Sequence, residues 1–262
     1  MKVITDVHRW MCVRLAFLAA LMAAPALAHH ALEFIELESY TTARKGERVA
    51  RLHYDYMSED QNDPQQDHWE LTPGLAYGIT DRLMFDVHTH YAKFNNGLVV
   101  EERQEEFAPH GPPPFFEAFT VSLQYRLTEA APVNAAISAS FEIPFDRAKE
   151  LLDSEEVYEG TLILSREFGT HGNVTLNLTA GWEGDEDYQE WGLGIRESLT
   201  GQPHGTAAGL EFFGSFDDLE NSWSILPGLY IPFDEQTILK TGFEIGEGAG
   251  YTRANITLMH RF

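Results

Sequence analysis

The sequence predicts an all-β fold, a transmembrane antiparallel up-and-down β-barrel of about 12 strands. Three observations predict it. From residue 48 onward, apolar and polar residues alternate with period two, the spacing that gives a strand one apolar and one polar face. The alternating segments are about 10–13 residues long. A tilted strand needs roughly 9–11 to cross a bilayer, whereas ordinary globular strands cluster near 5–6. Short turns also alternate with longer or more acidic links, as they do in outer-membrane barrels.

The composition bounds the function. Across 262 residues there are 18 Lys plus Arg against 41 Asp plus Glu, a net charge of −23, with 44% hydrophobic residues. That apolar fraction belongs to a folded chain rather than a disordered one. The acidic balance excludes a nucleic-acid binder, which needs a basic footprint. One Cys excludes a disulfide framework and a Cys-based zinc or iron–sulfur site.

Residues 1–28 read as a secretory signal peptide. Lys2, Arg9 and Arg14 precede the apolar run Leu15 to Ala28, which ends on the small-x-small site Ala26-Leu27-Ala28. At 14 residues the run is short of the roughly 20 that span a bilayer as a helix. Cys12 follows Trp10-Met11, so no lipoprotein site is present, and it leaves with the signal. The mature chain then has 15 basic and 40 acidic residues. Residues 29–47 form an N-terminal periplasmic or lumenal segment, which plugs the barrel, pairs as an extra strand or hangs free.

The barrel occupies residues 48–262. Its strands are expected near 48–57, 68–79, 82–94, 115–127, 133–145, 157–168, 173–183, 188–199, 205–216, 222–232, 237–246 and 251–262. In the fifth, Val133, Ala135, Ile137, Ala139, Phe141 and Ile143 share a face opposite Asn134, Ser138, Ser140 and Glu142. The turns at 80–81, 169–172, 200–204 and 233–236 all fall on the N-terminal, periplasmic side of a 12-strand count. The links at 58–67, 95–114, 146–156, 184–187 and 217–220 fall on the other.

Aromatics on the apolar faces sit towards strand ends, among them Tyr56, Trp69, Tyr77, Tyr91, Tyr125, Tyr158, Trp182 and Trp223. Lipid-facing barrels carry such girdles at both interfaces. The last strand ends on Phe262, which resembles the barrel-insertion signal read by the outer-membrane assembly machinery. Residues 69–81 are echoed by 223–234, and Pro73 and Pro227 each lack a ladder donor, so a bulge or bend is expected at each.

The stretch Pro73-Gly-Leu-Ala-Tyr-Gly-Ile-Thr-Asp-Arg-Leu83 resembles the hairpin of small outer-membrane barrels grouped as the phenol meta-pathway-like transporter family. The resemblance covers the mature chain as architecture and residues 69–94 as motif. It implies passage of small, often hydrophobic molecules and carries over no catalytic residue.

The inward faces of the first three strands hold a polar cluster: Arg51, His53 and Asp55, then His68 and Glu70, then Asp86, His88 and His90. Imidazoles with a carboxylate suit Zn²⁺, Cu²⁺ or Ni²⁺, and the metal reading uses His53, His68, His88, His90 and Asp86. His29-His30 adds a possible chelate. Against this stands a hydrogen-bonded lumen wall, since barrel interiors are polar by default. Gly246 to Gly250 lacks the Lys-Ser/Thr of a phosphate loop, and 184–187 is too short for an EF-hand. No His-x-Ser pair suggests a barrel lipase.

The expected function is passive passage of small solutes through a narrow, acidic, side-chain-lined lumen in the outer membrane of a Gram-negative bacterium, without catalysis or a cofactor. The alternatives are a divalent-metal-binding barrel, a lipid-modifying enzyme or an adhesive barrel acting through its loops. The expected partners are outer-membrane lipid and lipopolysaccharide, the barrel insertion machinery and small solutes, with no nucleic acid.

Overall fold

The computed structural model describes residues 34–58, 60, 62–169, 171–202, 205–215, 222–246 and 251–262. The signal peptide, His29-His30, Phe216, the acidic link 217–220 and most of the Gly-rich turn lie outside the described residues. Twelve strands form the barrel: β1 (Arg48–Ser58), β2 (Asp67–Gly78), β3 (Leu83–Phe94), β4 (Phe115–Arg126), β5 (Asn134–Pro144), β6 (Val157–Phe168), β7 (Gly172–Glu183), β8 (Glu186–Ser198), β9 (Ala207–Ser215), β10 (Trp223–Pro232), β11 (Thr237–Gly246) and β12 (Thr252–Arg261). Each pairs antiparallel with its sequence neighbour, and β1 pairs β12 from Val49↔Arg261 to Ser58↔Thr252. The ring closes, so no edge strand is left with unpaired backbone.

The alternation now has a physical meaning. Leu52, Tyr54, Leu75, Leu123, Ile137, Leu162, Leu178, Ile195, Leu229, Phe243 and Ile256 point outward and are exposed. So large an exposed apolar surface is stable against lipid, not water. At the long-loop end the rings Tyr54, Trp69, Tyr91, Phe116 and Phe145 touch in sequence around β1–β5, with centroids 5.1–6.4 Å apart. Phe141 and Tyr158 stack at 4.6 Å further round.

Neither proline makes a bulge. Pairing skips Thr72 and Pro73 between Leu71↔Tyr91 and Gly74↔His88, and skips Leu226 and Pro227 between Ile225↔Ile245 and Gly228↔Gly242, without changing register. A missing N–H removes a rung, whereas a bulge needs an extra residue. The register shift lies instead between β3 and β4, at Thr89/Tyr91. Two of the longer links each contain a short helix, α1 (Glu101–Phe107) and α2 (Asp146–Leu152). Glu101 and Glu102 in the first turn of α1 suit its dipole.

These helices build a small roof at the long-loop end. Val99, Ala148 and Leu151 pack with the inward Ala92, Phe94 and Phe115 of β3 and β4, with Leu98, Phe107 and Leu152 around them. The Val100 N–H donates to the Leu151 carbonyl at 2.8 Å, and Arg103 pairs with Glu150 at 2.5 Å.

Candidate functional site: the lumen

The lumen has two different halves, and the difference begins with the N-terminal segment. Of its three possible fates, the described residues 34–43 take the first: they lie inside the barrel, and Arg44, Lys45 and Gly46 emerge exposed at the short-turn end. The Glu211 carboxylate on β9 accepts the backbone N–H groups of Ile35, Glu36 and Leu37 at 2.7, 3.0 and 3.0 Å. The Tyr230 hydroxyl donates to the same carboxylate at 2.9 Å, and the Arg196 guanidinium lies 3.9 Å above the Tyr230 ring. Lys240 donates to the Phe34 carbonyl at 2.7 Å, and Gln124 donates to the carbonyls of Ser39 and Thr41 at 2.6 and 3.2 Å. In the orientation its neighbours dictate, the Asn177 amide pairs with both the N–H and the C=O of Glu38. A segment with no strand partner thus has its backbone satisfied by lumen side chains, as a buried chain requires.

Its side chains fit holes in the wall. A Cβ on Gly194 would lie 2.5 Å from Phe34, and one on Gly228 would lie 2.5 Å from Ile35. Gly192 faces Leu37, and Gly242 meets Ile35 and Leu226. Only glycine lets the wall approach so closely. Tyr40 is buried against Ala136 and Ile163 nearer the short-turn end. Lys45 N–H then donates to Asp81 in the first short turn at 3.1 Å. The β7–β12 side is consequently solid, with Arg196, Tyr230, Leu226, Glu211, Asn255 and Thr257 all buried.

The eight-residue polar cluster lies on the other side, β1–β5, but does not form one group. His53 contacts Asp55 at 2.5 Å and Thr257 at 2.5 Å. Arg253 on β12 grips both Asp55 oxygens at 2.9 and 2.8 Å and reaches Glu36 of the lumen segment at 3.2 Å. Arg51 pairs with Asp86 at 3.3 Å, and His88 shares that carboxylate at 2.9 Å. His90 bridges Glu70 at 2.6 Å and Glu142 at 3.3 Å, with Thr120 joining Glu142 at 2.9 Å and Thr72 donating to Glu70. His68 stands apart, stacked on Phe94 at 5.2 Å, and its Nδ1 has no hydrogen-bond partner among the described residues.

Of the metal set, His53, His68, His88, His90 and Asp86 are not brought to one point. Among the described residues the one trio within ligating reach of one another is Glu36, His53 and Asp55. Arg253 pairs with both of its carboxylates, so a metal cation would compete with that guanidinium. Arg253 and Glu142 escaped sequence reasoning because their strands lie far along the chain, and Glu36 because it sits in a segment with no strand pattern.

No family model and no curated protein matches the chain. Solved structures do. The "COG4313 outer membrane channel from Pseudomonas putida F1" superposes with TM-score 0.59 at 15% identity, covering 87% of this chain and 100% of that one. The "KdgM porin" gives 0.55 at 11%, covering 81% and 99%, and the "NanC porin" gives 0.56 at 7%, covering 80% and 98%. At these identities the likeness establishes a class of fold, the closed 12-strand barrel of outer-membrane channels.

Proposed function

We propose that this chain is an outer-membrane channel that lets small solutes pass through a lumen narrowed by its own N-terminal segment. The observation that carries the reading is the wet wall. Inside a closed barrel, the side chains of Arg51 and Glu142 keep 35% and 34% exposure, and His90 keeps 19%. Wall carboxylates outnumber the arginines there, which favours cations and neutral polar solutes over anions. The exposed apolar band and aromatic rings support the outer membrane as its location. Glu101, Glu102, Glu105 and Glu106 are turned out from the roof, where they would meet lipopolysaccharide-bridging cations and incoming solutes. The hairpin at 73–83 supports membership of the phenol meta-pathway-like family. Passage by diffusion assigns no residue a catalytic role.

The test is single-channel recording in planar bilayers together with liposome swelling. The expected result is small, cation-preferring conductance and slow entry of small neutral solutes. A folded barrel that neither conducts nor swells liposomes overturns the reading. The Glu36–His53–Asp55 trio supports a second reading, divalent-metal binding. Calorimetric titration with Zn²⁺ should then give a heat that His53→Ala abolishes, and a heat unchanged by it removes the idea.

A further inference from the structure

We infer that Glu38 of the lumen segment is a specificity-determining residue of the passage, an acidic group that in its ionised form admits cations, organic ammonium ions included, in preference to anions. The inference rests on the channel reading and adds the residue and the chemistry.

Three observations carry it. The first is position. The Asn177 amide clamps the Glu38 backbone, Glu211 holds Glu36 and Leu37 on one side, and Gln124 holds Ser39 on the other. The second is the lack of a countercharge. Glu36 is neutralised by Arg253 at 3.2 Å, whereas the Glu38 carboxylate accepts only the Ser138 hydroxyl at 2.6 Å and makes no ion pair among the described residues. The third is the surroundings. The charged groups that act on Glu38 are Glu159 of β6, Arg51 of β1 and Asp86 of β3, and Arg51 is already engaged by Asp86 at 3.3 Å. Burial first, and then the Glu159 charge, push the Glu38 carboxyl above its ordinary value against the Ser138 hydrogen bond, so its charge and the cation preference grow as pH rises. A cation passing the half-buried carboxylate exchanges part of its hydration for it, while an anion meets repulsion.

The test is the reversal potential of the full chain in a salt gradient. Glu38→Gln should lower the cation-to-anion permeability ratio by about fivefold, the weight of one unit charge on a cation against an anion roughly 8 Å away at a water-like dielectric. Glu38→Asp should keep the ratio within about twofold of the parent on the same estimate. Joint Glu→Gln changes at Glu101, Glu102, Glu105 and Glu106 should change it less than Glu38→Gln does. The only native Cys is Cys12, in the expected signal peptide, so Glu38→Cys offers a second measurement. Its thiol should react with aqueous methanethiosulfonates, the anionic reagent restoring cation preference and the cationic one reversing it. A thiol that does not react, or a ratio unmoved by Glu38→Gln, overturns the inference and leaves the channel reading standing. A parent protein that never conducts overturns both.

Discussion

The β8–β11 wall of the lumen and the β1–β3 wall obey the same alternation and close the same ring, yet one is packed against the N-terminal segment and the other carries polar side chains that stay partly exposed. On the packed wall the inward positions include Gly192, Gly194, Gly228 and Gly242, whose missing side chains leave room for Phe34, Ile35 and Leu37. On the other they are long and polar, and they pair with one another at 2.6–3.3 Å, as His90 does with Glu70 and Glu142. The lesson is that a barrel wall becomes core where it is carved for a second chain segment. Where its polar groups satisfy one another it stays a polar, partly exposed wall.

The comparison is broken most directly at Glu211. Glu211→Ala removes the acceptor of three backbone N–H groups and the Tyr230 hydroxyl in a buried setting. It should cost roughly 3–5 kcal/mol in urea unfolding followed by Trp fluorescence, and it should raise conductance as the segment loosens. Glu142→Ala, on the half-exposed wet wall, should cost less than about 1 kcal/mol. Equal losses would show that the two sides do not differ.

A smaller effect is expected from packing. Gly194→Ala places a Cβ 2.5 Å from Phe34 and should destabilise by about 1–3 kcal/mol, whereas Gly160→Ala on β6 meets nothing within 4 Å and should be close to neutral. A neutral Gly194→Ala would mean the segment is not seated against β8.

The smallest effect lies outside both halves. In the turn before β11, the N–H groups of Gln236 and Thr237 hold the Asp234 carboxyl below its ordinary value. A depressed folded-state value means this contribution is present at neutral pH and is lost as pH falls through the folded-state value. Asp234→Asn should therefore flatten the acid limb of the stability curve slightly without changing selectivity. A change in selectivity would show that the turn communicates with the passage.

The strands were legible because period two is a local signal that lipid on one side and water on the other enforce. Every observed strand lies within two residues of its expected bounds, β8 at Glu186–Ser198 against 188–199 being typical. The helices α1 and α2 were not legible, because seven residues are too few to show a helical period. The polar cluster was legible as a wall but not as three networks, since Arg253, Glu142 and Glu36 reach it from elsewhere in the chain. The inward glycines on β8, β10 and β11 were the unread signal for the lumen segment.

Sequence by itself determined the barrel, its strand count, which side chains meet lipid and which meet the lumen, because alternation and turn spacing act between near neighbours. Only the tertiary structure decided that residues 34–43 lie inside, that Arg253 holds Asp55 and Glu36, and that the polar cluster of β1–β3 parts into separate networks. Those outcomes depend on hydrogen bonds such as Lys240 to Phe34, 206 positions apart, and no local pattern encodes them.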